Sequence, residues 1–166
     1  FINKLIAMKN ITIHSNVCFC SYDELDAEAQ QLIEKAKQAT DNSNSKYSGF
    51  SVGAALRLNN GMVIIGANQE NAAFPVTICA ERSAIFNAQS NYPQESITHI
   101  AIAARNDNGF TDIPVSPCGS CRQVLLEMED RYSNNIKIYL YGKNGVYIVE
   151  SAKDLLPLSF VDSSMR

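Results

Sequence analysis

Apolar residues along this chain recur at two spacings, and the switches between them predict its elements. Ser21-Tyr22-Asp23-Glu24 has the form of a capping box, serine at the cap and glutamate three residues on. Leu25, Ala29, Leu32, Ile33, Ala36 and Ala39 follow at helical spacing, which predicts a first helix over about 22–39. Asp41-Asn42-Ser43-Asn44-Ser45 is a polar loop. Residues 50–58 and 62–66 read as strands joined by Asn59-Asn60-Gly61, because Asn-Gly tolerates the positive φ of a tight hairpin. A second helix is predicted over about 79–90, burying Ala80, Ala84, Ile85 and Ala88. Residues 97–104 are nearly all apolar, as suits a strand covered on both faces. Asn106-Asp107-Asn108-Gly109 ends that run in turn residues.

Pro117 precedes a third predicted helix over about 119–130, with Val124, Leu125 and Met128 inward. Residues 136–141 and 146–149 read as strands about a Gly142-Lys143-Asn144-Gly145 turn, and Ser151 caps a short last helix ending near Pro157. The order α-β-β-α-β-α-β-β-α predicts an α/β fold, a three-layer α-β-α sandwich around one mixed five-stranded sheet. There is no internal repeat or long linker, so 21–166 reads as a single domain behind an N-terminal extension, 1–20.

Length and charge narrow the function classes. The chain has 166 residues, enough for a hydrophobic core without disulfide staples. With 14 basic and 17 acidic residues the net charge is −3, which argues against a nucleic-acid partner. No apolar run reaches the ~18 residues of a membrane span. The opening Phe1-Ile2-Asn3-Lys4-Leu5-Ile6-Ala7 is too short and broken for a secretory core, and reads as a cloning remnant or upstream sequence ahead of Met8. A reducing cytoplasmic location is the expectation. The five cysteines, Cys18, Cys20, Cys79, Cys118 and Cys121, then point to metal binding or packing rather than a disulfide framework.

Cys79-Ala80-Glu81 opens the second predicted helix, and Pro117-Cys118-Gly119-Ser120-Cys121 opens the third. The two helices flank the same predicted strand, so their N-termini can meet at one end of the sheet. Unpaired N–H groups and a positive macrodipole at a helix start favour thiolate. Three thiolates suit one zinc ion, leaving its fourth position for water, the pattern of a catalytic site. Zinc-bound water ionises near neutral pH. Glu81, two residues after Cys79, can exchange that water's proton without ligating the metal. Arg82 can draw charge from a thiolate and restore Lewis acidity. A lone Cys-x-x-Cys is weak, but Cys-Ala-Glu followed by Pro-Cys-x-x-Cys matches the three-cysteine form of the zinc-deaminase signature. Cys18 and Cys20 form only Cys-x-Cys and read as packing or free thiols.

Five segments together resemble the small homotetrameric cytidine deaminases: Tyr47-Ser48-Gly49-Phe50-Ser51-Val52-Gly53-Ala54-Ala55-Leu56, Asn68-Gln69-Glu70-Asn71-Ala72, Thr77-Ile78-Cys79-Ala80-Glu81-Arg82-Ser83-Ala84, Ser116-Pro117-Cys118-Gly119-Ser120-Cys121-Arg122-Gln123 and Leu155-Leu156-Pro157-Leu158-Ser159-Phe160. The resemblance runs over about 47–160, more than two thirds of the chain. It implies one zinc per chain on Cys79, Cys118 and Cys121, with Glu81 as proton shuttle and Arg82 bonded to a zinc thiolate. It further implies that Asn68 and Glu70 bind the sugar hydroxyls, and Phe50 lines the base pocket. The Ala80 N–H would meet the base carbonyl and the Ser116 carbonyl the exocyclic amine. Phe160 would stack on the pyrimidine from a neighbouring subunit of a homotetramer. Residue by residue the bland alternatives stay open: Asn68 and Glu70 as a solvent-facing turn pair, Phe160 as a tail anchor, Arg82 as a surface ion pair. Phe74 stands where the family usually has tyrosine, Lys46 where it has proline, and Pro75-Val76 where it has a glycine-containing pair.

The implied activity is hydrolytic deamination of free cytidine or deoxycytidine in pyrimidine salvage, zinc-bound hydroxide attacking C4 while Glu81 carries the proton. Rival readings are another aminated substrate (an aminonucleoside antibiotic, a nucleotide or a polynucleotide base), a catalytically silent zinc protein, and a Cys118–Cys121 redox dithiol.

Overall fold

The structure is a computed structural model that describes residues 8–165; the reading of residues 1–7 lies outside that range. Its elements are β1 (Cys18–Cys20), α1 (Ala27–Ala39), β2 (Ser51–Leu58), β3 (Val63–Ala67), α2 (Ala80–Asn91), β4 (Ile97–Asn106), β5 (Gly109–Phe110), α3 (Gly119–Tyr132), β6 (Lys137–Gly142) and β7 (Gly145–Val149). The strands form one mixed sheet in the order β1-β7-β6-β4-β2-β3, with β5 against β4. Among the described strands only β4 and β6 pair in parallel.

Among the described residues the sheet has seven strands rather than the expected five. Both additions are short. β1 zips onto β7 through Cys18↔Ile148, Phe19↔Tyr147 and Cys20↔Val146. β5 folds back on the end of β4 through Arg105↔Phe110 and Asn106↔Gly109, the Asp107-Asn108 turn closing it. The N-terminal segment is also tied at Asn16, whose N–H donates to Asp154 Oδ1 at 2.9 Å.

The first helix starts later than its pattern suggests. The Ser21–Glu24 capping box forms, but it closes only a 3₁₀ turn over Tyr22–Glu24. Leu25 then turns extended (φ −75°, ψ 149°), and Asp26 caps α1 by accepting from Ala29 N at 2.7 Å. The extended Leu25 still packs against the core layer that α1 covers.

Alternation along the strands sorts the core into two layers. Ala55, Ala101 and Ala103 face α1, meeting Ala29, Leu32, Ile33 and Ala36. Ala54, Leu56, Ile100, Ile102, Ile138 and Leu140 face the other way, against Ala80, Ala84 and Ile85 of α2 and Leu125, Leu126 and Met128 of α3. Each large aliphatic side chain buried here contributes about 1.5–3 kcal/mol. Gly66 on β3 lets α2 lie directly on the strand, since a Cβ there would run into the Ala80 carbonyl and the Ala84 N–H.

Topology sets where the two helices begin. β3 and β4 both run antiparallel to β2, and β4 and β6 run parallel. α2 therefore crosses from β3 to β4, and α3 from β4 to β6, on the same face of the sheet. Both start beyond the carboxyl ends of parallel strands, where open α/β sheets build their sites. Among the described residues no helix is long and apolar enough to cross a membrane.

Candidate metal centre and active site

Cys79 and Cys118 occupy the N-cap positions of α2 and α3. Their backbones are extended, and neither side chain caps its own helix. Cys121 lies one turn into α3 and is fully buried. The three sulfurs converge within 4.8 Å of one another. Cys79 Sγ lies 3.7 Å from Cys118 Sγ, which lies 3.4 Å from Cys121 Sγ. Tetrahedral zinc with Zn–S bonds of about 2.3 Å spaces its sulfurs about 3.8 Å apart, so the donor set fits zinc with slight expansion. Among the described residues no fourth His, Cys, Asp or Glu joins the group.

The surroundings favour negative sulfur. Both helix starts direct their dipoles at the cluster. Arg82 Nη2 donates to Cys79 Sγ at 3.8 Å. The Cys121 thiol, and then this guanidinium, hold Cys79 far below the ordinary thiol range, at about 5. Cys121 is pushed the opposite way by its bond with Cys79 and by burial. A divalent ion held by the three sulfurs would keep all of them ionised. Glu81, in the first turn of α2, is only 4 % exposed. Burial pushes its carboxyl above the usual range, and the Cys79 thiolate adds in the same direction. A buried carboxylate tuned upward beside a metal cluster suits proton exchange near neutral pH.

The other expected contact residues are positioned by the loop between α1 and β2. Asn68 follows β3 and is 9 % exposed. Its Oδ1 accepts from Val52 N at 2.8 Å and Ser43 Oγ at 2.6 Å, while Nδ2 donates to the Phe50 carbonyl at 2.9 Å. Glu70 accepts from Tyr47 N at 2.7 Å, Ser48 N at 3.2 Å and the Ser48 hydroxyl. The Ser48 hydroxyl, helped by the Tyr47 N–H, keeps its carboxyl below the ordinary range. Asn68 is buried rather than the solvent-facing turn residue of the bland alternative, while Glu70 is partly exposed and tied to the loop by these bonds. An open cleft of about 320 Å³ beside Glu70 is lined by Tyr47, Ser48, Phe74 and Thr77. Phe74 meets Tyr47 edge to face at 5.7 Å.

Phe50 is half-buried where this loop enters β2. Ala80 is the first residue of α2, where a backbone N–H has no acceptor within the helix. Ser116 is exposed in the irregular stretch before α3. Phe160 stands on the C-terminal segment and is 60 % exposed. Cys20 packs partly against the α1 layer and Cys18 is exposed, both outside the sulfur cluster.

Sequence reasoning assigned no role to Arg122, Gln123 or Glu129. Arg122 and Gln123 donate to carbonyls of the C-terminal segment, at Leu155 and Phe160. Both sit inside a matched motif, which was the available signal. Glu129 accepts from Ile136 N, Ala152 N and Ser151 Oγ at 2.7–2.8 Å. Nothing local marks it, because its partners come from either side of β6 and β7.

Comparison with known proteins agrees with this geometry. Residues 26–134 match the family model of the cytidine and deoxycytidylate deaminase zinc-binding region. The chain is 40 % identical to the cytidine deaminase of Halalkalibacterium halodurans over 139 residues, which covers 84 % of this chain and 98 % of that one. It is 37 % identical to the cytidine deaminase of Sporosarcina psychrophila over 133 residues, 80 % of this chain and 91 % of that one. Its fold superimposes on the crystal structure of cytidine deaminase from Burkholderia pseudomallei with a TM-score of 0.68 at 37 % identity, covering 82 % of this chain and all of the other. With three cysteine sulfurs gathered at two helix starts and a buried glutamate beside them, this chain belongs to the zinc-dependent cytidine and deoxycytidylate deaminase family.

Proposed function

We propose that the protein hydrolyses the exocyclic amine of free cytidine and deoxycytidine, giving uridine or deoxyuridine and ammonia in pyrimidine salvage. The observation that carries this reading is the three-sulfur cluster with the buried Glu81 one turn away. Cys79, Cys118 and Cys121 would hold one zinc per chain, which when bound would supply a water acidic enough to ionise near neutral pH. Glu81 takes one proton from the attacking water and gives it to ring N3 as the water oxygen bonds to C4. It then takes the remaining proton of the new C4 hydroxyl and hands it to the amine, so that the C4–N bond breaks to leave ammonia and a C4 carbonyl. The Ala80 N–H holds the base carbonyl, the Ser116 carbonyl takes the exocyclic amine, and Phe50 and Phe160 bound the ring. Arg82 withdraws charge from Cys79 throughout.

The sugar side favours a nucleoside. Asn68 has one amide N–H beyond its internal bonds, and Glu70 has acceptor capacity left after its loop contacts. Its depressed carboxyl stays anionic and repels a sugar phosphate, which separates a nucleoside from a nucleotide within a family whose name covers both.

The catalytic unit in this reading is 21–166, with 1–20 as an extension. The assembly is a homotetramer in the cytoplasm whose subunits share active sites. Exposed Phe160 and Leu158 on the tail, and Phe74 and Val76 beside the cleft, supply apolar surface for it. The test is turnover of cytidine, deoxycytidine, their monophosphates and an aminonucleoside antibiotic, read as ammonia release with zinc measured on the same sample. One zinc per chain with no nucleoside turnover refutes the proposal.

A further inference from the structure

Two side chains next to the sulfur cluster reach away from it. Arg122 follows Cys121 and bridges two carbonyls, donating from Nε to Pro117 and from Nη1 to Leu155, each at 2.8 Å. Gln123 donates from Nε2 to the Phe160 carbonyl at 2.9 Å. Neighbouring positions of one helical turn thus grip both ends of 155–160. Within that stretch Pro157 and Leu158 are exposed and not held by burial. Leu158 sits at φ +54° and is 89 % exposed, so its strained backbone is maintained from outside. Leu156 and Val161 tuck against the core on either side, which leaves Phe160 standing out from a pinned loop.

We propose that Arg122 and Gln123 are positioning residues, which clamp 156–160 to α3 and so fix Phe160 at a set height for stacking on the nucleoside base. The proposal rests on the deaminase reading above. Through Pro117, the Arg122 guanidinium also braces the residue before Cys118, giving the metal loop and the tail a common rigid reference. The fork places donors on separate nitrogens, Nε and Nη1, one for each carbonyl; a lysine ammonium has its three donors on a single nitrogen and lacks that fixed span.

The experiment uses the zinc-loaded protein and the variants Arg122→Ala, Arg122→Lys, Gln123→Leu, Phe160→Ala and the Arg122→Ala/Phe160→Ala pair. Amide hydrogen exchange over 156–161 is read beside zinc content and cytidine kinetics. Arg122→Ala and Gln123→Leu should quicken exchange there at least ~10-fold with zinc retained. They should raise KM about tenfold with a smaller change in kcat, and Arg122→Lys should fall between. The double variant should be no worse than Phe160→Ala alone, because the two changes act through one ring. Gln123→Leu leaves the Leu155 bond intact and keeps the test valid if Arg122→Ala folds poorly. Unchanged exchange in an active enzyme, or additive losses in the double variant, overturns the clamp. An inactive wild type holding one zinc per chain overturns instead the deaminase reading, and with it the role of Phe160.

Discussion

The sulfurs of Cys79 and Cys118 lie 3.7 Å apart although 39 positions separate them in the chain. Two crossover helices on one face of the sheet bring them together, so the ligand set exists only in the folded protein. Cys118→Ala should therefore drop bound zinc from one per chain to near none, measured by elemental analysis. Chelation of the wild type should lower its thermal midpoint along with its activity, because binding free energy is here folding free energy. An apo protein as stable as the zinc form would contradict this.

Glu81 has a different expected signature. Glu81→Gln retains the size of a side chain that is 4 % exposed. Zinc content and melting should stay near wild type, while kcat for cytidine falls by about 10²–10⁴. Near-normal turnover would remove Glu81 from the reaction.

Much of this was legible in the sequence, for reasons that differ by element. α2 and α3 start within one residue of expectation because a cysteine N-cap, an adjacent motif and a helical apolar stripe agree there. The hairpin of β2 and β3 was marked by Asn60-Gly61. The split of the first helix was not, because Leu25 fits the apolar stripe equally well in an extended conformation; the overlooked sign was Asp26, a second strong cap. β1 and β5, at three and two residues, carry too little pattern to be seen. At the site, the motifs located the sulfurs, Glu81 and Arg82. The internal use of Asn68 and Glu70 was hidden, since their partners at 43–52 are set by tertiary packing.

Glu129 is a buried carboxylate serving three donors from two separate stretches of chain. Glu129→Ala strands those donors away from water, at about 1–3 kcal/mol for each group left unpaired. Urea unfolding should show a loss of about 3 kcal/mol, with Glu129→Gln intermediate. A loss below 1 kcal/mol would mean that water replaces the carboxylate.

His99 should govern stability on the mildly acid side. Burial, with Arg57 and then Lys137 nearby, holds its pKa below the ordinary histidine value. The folded protein keeps it neutral, whereas the unfolded chain takes up a proton near pH 6.5. Its contribution is thus complete above about pH 6.5 and is lost as pH falls through the lower folded value. His99→Gln should flatten the pH dependence of the melting temperature in that window. An unaltered profile would assign the acid sensitivity elsewhere.

The bare backbone of Gly66 reaches the catalytic chemistry without touching it. Because α2 rests on that strand with no side chain between, the height of the helix sets where Cys79 and Glu81 sit. Gly66→Ala would raise the helix like a shim and pull one sulfur from the pair carried by α3. Such a variant would fold yet hold zinc loosely, a ligand defect with every ligand intact.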